Sequence, residues 1–171
     1  MKLIKYFILI FFALWLNGSM VLPASAQTDR EKTLTDISLW IDWKMTQSLN
    51  DSQRAVLQYL HDTAPINQSF ESVWVKGGVG VDSLAKKLKA ITVPPECAGY
   101  SAGLDKIVSV LRQYNTAYVS GKSLATAQMN NIKFNILSAD GDIVAKFFEL
   151  LRSVGLFETY ESELRSLKKL S

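Results

Sequence analysis

Apolar residues recur at helical spacing along most of the chain. Leu34, Ile37, Ile41, Met45 and Leu49 advance by three or four positions, and at about 100° per residue Ala55, Val56, Tyr59 and Leu60 fall on the same side. Thr28 and Glu31 have capping-box spacing ahead of this stripe. The stripe keeps its phase across Ser48, Asn50, Asp51 and Ser52, although these are cap-type residues. The pattern therefore predicts one long helix from Thr28 to just before Pro65. Phe70, Val73 and Trp74 suit a second helix, which Gly77, Gly78 and Gly80 break, each costing about 1 kcal/mol relative to alanine in a helix. Asp82 then caps a short piece carrying Leu84, Leu88 and Ile91.

A stiff corner follows at Val93, Pro94, Pro95, Glu96 and Cys97. Proline fixes its own φ and pushes the preceding residue out of the α region, so Ile91 to Val93 must be extended, whereas Pro95 suits the first turn of a new helix. Beyond it Cys97, Tyr100, Leu104, Ile107, Val108, Leu111, Tyr114 and Tyr118 form a clean stripe, stopped by Gly121. The next stripe runs from Ala125 through Met129, Ile132, Ile136, Ala139, Ile143, Phe147 and Leu150 to Val154, in phase through Asp140, Gly141 and Asp142. Gly155 ends it. A last segment carries Glu158, Glu161 and Glu163 early and Arg165, Lys168 and Lys169 late, matching the helix dipole.

No stretch alternates with period two for long enough to make a strand. The expected fold is all-α: an antiparallel up-and-down four-helix bundle with an additional short C-terminal helix, its second helix broken near Gly77 to Gly80. A tight turn at Gly121 places Tyr118 beside Leu124 or Ala125, Asn115 beside Gln128, Leu111 near Ile132 and Leu104 near Ala139. Asn115 and Gln128 are then a structural polar pair that sets register, since a buried amide left unpaired costs about 1–3 kcal/mol.

The first residues change the picture. Lys2 and Lys5 precede an apolar run from Tyr6 to Leu16, and Ala24, Ser25 and Ala26 place small residues before Gln27. This is the layout of a cleavable export signal over residues 1–26, leaving residues 27–171 as a single helical domain. The run is shorter than the roughly 20 residues a membrane span needs, so no transmembrane segment is expected after cleavage. Of the 19 basic side chains two lie in that leader and none of the 16 acidic ones do, so residues 27–171 carry a net charge of +1. Bulk charge thus points to no nucleic-acid partner. The one cysteine, Cys97, excludes an intramolecular disulfide and reads as a small buried residue at a helix start.

Few residues are spaced for chemistry. His61 is the only histidine, and no Cys-x-x-Cys-His, His-x-x-x-His or Glu-x-x-His spacing accompanies it, so neither a metal nor another cofactor is expected. A thiol mechanism would need His61 brought to Cys97. Asp140 and Asp142 match a calcium loop over three residues only, and the glycines at 77–80 lack the Gly-Lys-Ser/Thr of a phosphate loop. Trp40 and Trp43 lie to one side of the first stripe, where either the broken second helix or the C-terminal segment covers them or their large aromatic rings serve as interface anchors. Leu49, Asn50, Asp51, Ser52, Gln53 and Arg54 resemble the Leu-Thr-x-x-Gln signature of small periplasmic helical stress chaperones, with asparagine in place of threonine. The resemblance covers these six residues and implies a similar helix opening.

These features lead to the expectation of an exported, periplasmic or secreted, non-enzymatic binding or adaptor module. It would hold a protein partner, or its own copy, through the Trp40 and Trp43 side. The alternatives are a carrier of a small apolar ligand or lipid in a cleft between helices and, third, a thiol-dependent enzyme using Cys97.

Overall fold

The structure is a computed structural model that describes residues 24–120 and 126–170, without the side chains of residues 24–30 and most of those in 126–140. Among the described residues there are six α-helices and no strand: α1 (Ala24–Met45), α2 (Asp51–Val75), α3 (Val81–Lys89), α4 (Ala98–Val119), α5 (Thr126–Ser153) and α6 (Phe157–Leu167). A 3₁₀ turn, Pro95–Cys97, precedes α4. The all-helical expectation holds. The chain divides into two compact units, Met1–Ile37 and Ser38–Ser171. In the first, the described part is the opening of α1, where the Thr35 hydroxyl donates to the Glu31 carbonyl at 2.8 Å. The helix already runs from Ala24, so Thr28 lies within it rather than at its start. The apolar run at residues 6–16, most of the expected leader, Gly121, and the side chains of Leu124, Ala125, Gln128, Ile132 and Ala139 lie outside the described residues.

In the second unit the expected single long helix is two. α1 stops at Met45 and α2 opens at Asp51 because Asn50 and Gln53 satisfy each other's backbone: the Gln53 amide donates to Asn50 Oδ1 at 2.9 Å, and the Asn50 amide to Gln53 Oε1 at 3.2 Å. This capping box supplies partners for first-turn amides that a continuous helix would bond internally. α2 then passes through Pro65 instead of ending there. Pro65 is exposed, so the His61 carbonyl that loses its amide partner can turn to water.

Contacts at both ends of α2 set the direction of α4. Near the start of α2 the Ser52 hydroxyl lies 3.2 Å from Glu96, and past its end Asn115 Nδ2 donates to the Gly77 carbonyl at 3.1 Å. The two helices therefore run parallel to each other. Short α3 and the non-helical stretch that follows it to Pro94 carry the chain back between them, about 13 Å of helix against about 37 Å for α2. α4 and α5 are antiparallel, with Lys106 3.0 Å from Asp142 and the Gly103 backbone against Ile143. This is about one helical turn beyond the register that a turn at Gly121 implies. The connection spans residues 120–125, which moves the midpoint of the hairpin along the chain.

The core of this unit follows the periodic stripes. Val56, Leu57, Tyr59, Leu60, Ile66, Phe70 and Val73 of α2 are buried, as are Leu104, Ile107, Val108 and Leu111 of α4. The end of α1 packs on α6, and α6 packs in turn on the aromatic end of α5. The Trp40 ring stands edge-on to Tyr160 at 4.9 Å between centroids, and Tyr160 in turn to Phe147 at 5.7 Å.

Candidate functional site

The stripe of α4 outruns the helices that cover it. It is buried through Leu111, then half-buried at Tyr114, and exposed at Tyr118, because α2 ends at Val75 and the chain turns away. That turn is built from glycines. Gly77, Gly78 and Gly80 have φ of +69°, +79° and +94°, the left-handed region in which a Cβ is strained. The Gly78 amide donates to the Val73 carbonyl at 2.8 Å and the Gly77 amide to the Trp74 carbonyl at 3.0 Å, which closes the last turn of α2. The absent side chains also let α4 approach: a Cβ on Gly77 would lie 2.5 Å from the Tyr118 ring, and one on Gly78 would lie 2.6 Å from the Leu111 carbonyl oxygen.

The result is an aromatic ledge at one end of the α2/α4 pair. Trp74 lies against Tyr114 with centroids 4.6 Å apart, and Tyr114 is 6.3 Å from Tyr118 one turn on. Around these rings Val75 is 63% exposed, Val79 52%, Tyr118 59% and Val119 71%. Four of the seven large apolar side chains that the described residues expose thus gather at this end, whereas isolated exposures are the norm for a folded surface. The ledge is stiff, since Asn115 ties α4 to the Gly77 carbonyl beneath it.

The other candidates fare differently. Trp40 is 0% exposed, its indole N–H donating to Glu163 Oε2 at 2.9 Å, so the expectation of an anchoring surface is corrected at this residue by the packing of α6. Glu163 also receives Lys44 Nζ at 2.6 Å, which joins the two helices. Trp43 is half-buried, with Lys44 Nζ 5.6 Å from its ring centroid. Asn115 meets a backbone carbonyl of the glycine turn, and its expected partner Gln128 lies outside the described residues.

Cys97 is fully buried at the start of α4, where burial first, and the Glu96 carboxylate second, push its thiol up to about 12. Such a thiol is not ionised at neutral pH and is a poor nucleophile. Beside it the Tyr59 hydroxyl is buried with no group at hydrogen-bond geometry; burial raises its pKa, the nearby Ser101 side chain acting in the opposite sense. His61 is half-exposed and faces Asp42 at 3.5 Å and Asp62 at 3.4 Å, away from Cys97's buried setting. Asp142 pairs with Lys106 on a continuous helix, so the calcium-loop spacing is a helical surface. Among the described residues no three of His, Cys, Asp and Glu are grouped to hold a metal ion, and no helix is long and apolar enough to cross a membrane.

The chain matches no protein-family model, no curated protein and no solved structure.

The ledge was not legible as a site. Tyr114 and Tyr118 sit in phase with the core stripe, and only the lengths of the covering helices show that they project past it. The signal available was the coincidence of Trp74, three clustered glycines and a stripe ending in two tyrosines.

Proposed function

We propose that the protein is an exported, non-enzymatic binding or adaptor module of the cell envelope that holds a protein partner through the ledge of Trp74, Tyr114 and Tyr118 with Val75, Val79 and Val119. The observation that carries this reading is the exposed Tyr118 ring and three exposed valines gathered beside half-buried Trp74 and Tyr114 on a backbone fixed by the glycine turn. Tyrosine and tryptophan offer large apolar area with few torsions to freeze, which makes them the usual centres of binding energy at protein interfaces. A preformed ledge loses little entropy on docking. The buried, protonated Cys97 thiol is consistent with a binding role rather than thiol chemistry.

The test replaces the three most exposed side chains of the ledge. Val75→Ser, Tyr118→Ser and Val119→Ser together should leave helicity unchanged and abolish recovery of a stoichiometric partner, or abolish self-association in analytical ultracentrifugation. Undiminished partner recovery and an unchanged oligomeric state in this triple variant would remove the ledge from the binding role.

A further inference from the structure

Charge is distributed unevenly along the chain. Residues 76–93 hold Lys76, Lys86, Lys87 and Lys89 against one acid, Asp82, a net charge of +3, whereas the rest of residues 27–171 is net −2. Asp82 does not offset these lysines, because Arg112 of α4 donates to it at 2.8 Å. All four lysines are exposed and none has an ion-pair partner among the described residues. Helix α3 buries Val81, Leu84, Ala85 and Leu88 against its neighbours, which leaves Lys86, Lys87 and Lys89 on the outward side. Val79 before the helix and Val93 after it are 52% and 42% exposed, so the cationic face has an apolar side chain beyond each end.

We infer that the outer face of α3, with Lys76, Lys86, Lys87, Lys89, Val79 and Val93, docks on an anionic lipid surface. Lysine suits this role: it is a flexible point charge whose stem lies along an apolar boundary while the ammonium reaches phosphate. Recognition of a defined acidic peptide favours the planar, two-pronged guanidinium, and the only arginine shown at this face, Arg112, is engaged by Asp82. Unpaired lysines next to exposed valines are complementary to a layer that is negative at its surface and apolar just beneath. The inference goes beyond the ledge and shares only Val79 with it; the lysines that the test replaces are not part of the ledge, so either assignment can fail without the other.

The experiment is flotation of the full chain with vesicles of phosphatidylcholine, alone or with about one third phosphatidylglycerol, at low salt and at about 0.5 M sodium chloride. The parent should bind the anionic vesicles in excess of the neutral ones, and salt should remove the excess. Lys86→Gln, Lys87→Gln and Lys89→Gln together should weaken that binding about a hundredfold, about fivefold per lysine. The corresponding triple arginine variant should keep it. Comparing variant with parent cancels any contribution from Lys2, Lys5 and the apolar run that follows them. Circular dichroism guards against misfolding, since these side chains are exposed. Equal binding to both vesicle types, or an undiminished anionic excess in the glutamine variant, would overturn the inference. So would absence of vesicle binding together with capture of an acidic protein through the same lysines.

Discussion

Replacing Gly78 with alanine tests how the ledge is held. At φ of +79° an added Cβ strains the backbone, which costs about 1 kcal/mol or somewhat more. The same Cβ would sit 2.6 Å from the Leu111 carbonyl oxygen and 2.7 Å from Asn115 Cβ. The first of these is helix backbone and cannot rotate away, so α4 must move, an overpacking penalty of about 2 kcal/mol. The sum is about 3 kcal/mol. Gly80→Ala is the control: its φ is +94°, yet its Cβ would meet nothing nearer than Val73 Cγ2 at 4.0 Å, which leaves the backbone term of about 1 kcal/mol alone. For a chain of this length 1 kcal/mol moves the melting temperature by about 3 °C, so Gly78→Ala should melt about 9 °C and Gly80→Ala about 3 °C below the parent. Thermal melts followed by circular dichroism, with urea titration as a second measure, read the difference. Equal losses in the two variants would refute the close approach of the glycine turn to α4.

The remaining predictions concern the other buried polar contacts. Glu163→Ala should cost about 2 kcal/mol, because it leaves the buried Trp40 N–H without an acceptor, whereas Glu163→Gln keeps an oxygen for that N–H and should cost less than about 1 kcal/mol; urea melts followed by tryptophan fluorescence distinguish them. Cys97 should resist a disulfide reagent at pH 8 in the folded chain and react when urea unfolds it. The folded thiol stays protonated to about 12 while the unfolded one ionises near 9.0, so the unfolded state binds fewer protons between those values. The stabilisation is complete below pH 9 and is lost as pH rises towards 12. Stability measured over that window should therefore fall less steeply in Cys97→Ala than in the parent.

What was legible in the chain was local. Apolar spacing identified the helical character of the fold, the proline corner at Pro94 and Pro95, and the broken region at Gly77 to Gly80, because each depends on nearby residues. The break between α1 and α2 was obscured by a coincidence of phase: the stripe continues across Ser48 to Ser52, while the Asn50–Gln53 exchange that splits it is a hydrogen-bond feature that periodicity does not register. Pro65 was misleading for a related reason, since an exposed proline that loses one carbonyl partner to water is tolerated in a long helix held by packing. At Trp40 the sequence left cover by the C-terminal segment and use as an anchor both open, and the choice rests on a contact with α6, a helix more than a hundred residues away.

The reading of this protein as a binding module stands on the ledge, and photo-cross-linking in native cells addresses it most directly. A benzophenone amino acid at position 119, beside Tyr118, is compared with one at position 109, exposed on the same helix outside the ledge. The expected result is a discrete protein adduct from position 119 and none from position 109. Adducts of equal yield and identity at both positions, or none at either, would contradict it.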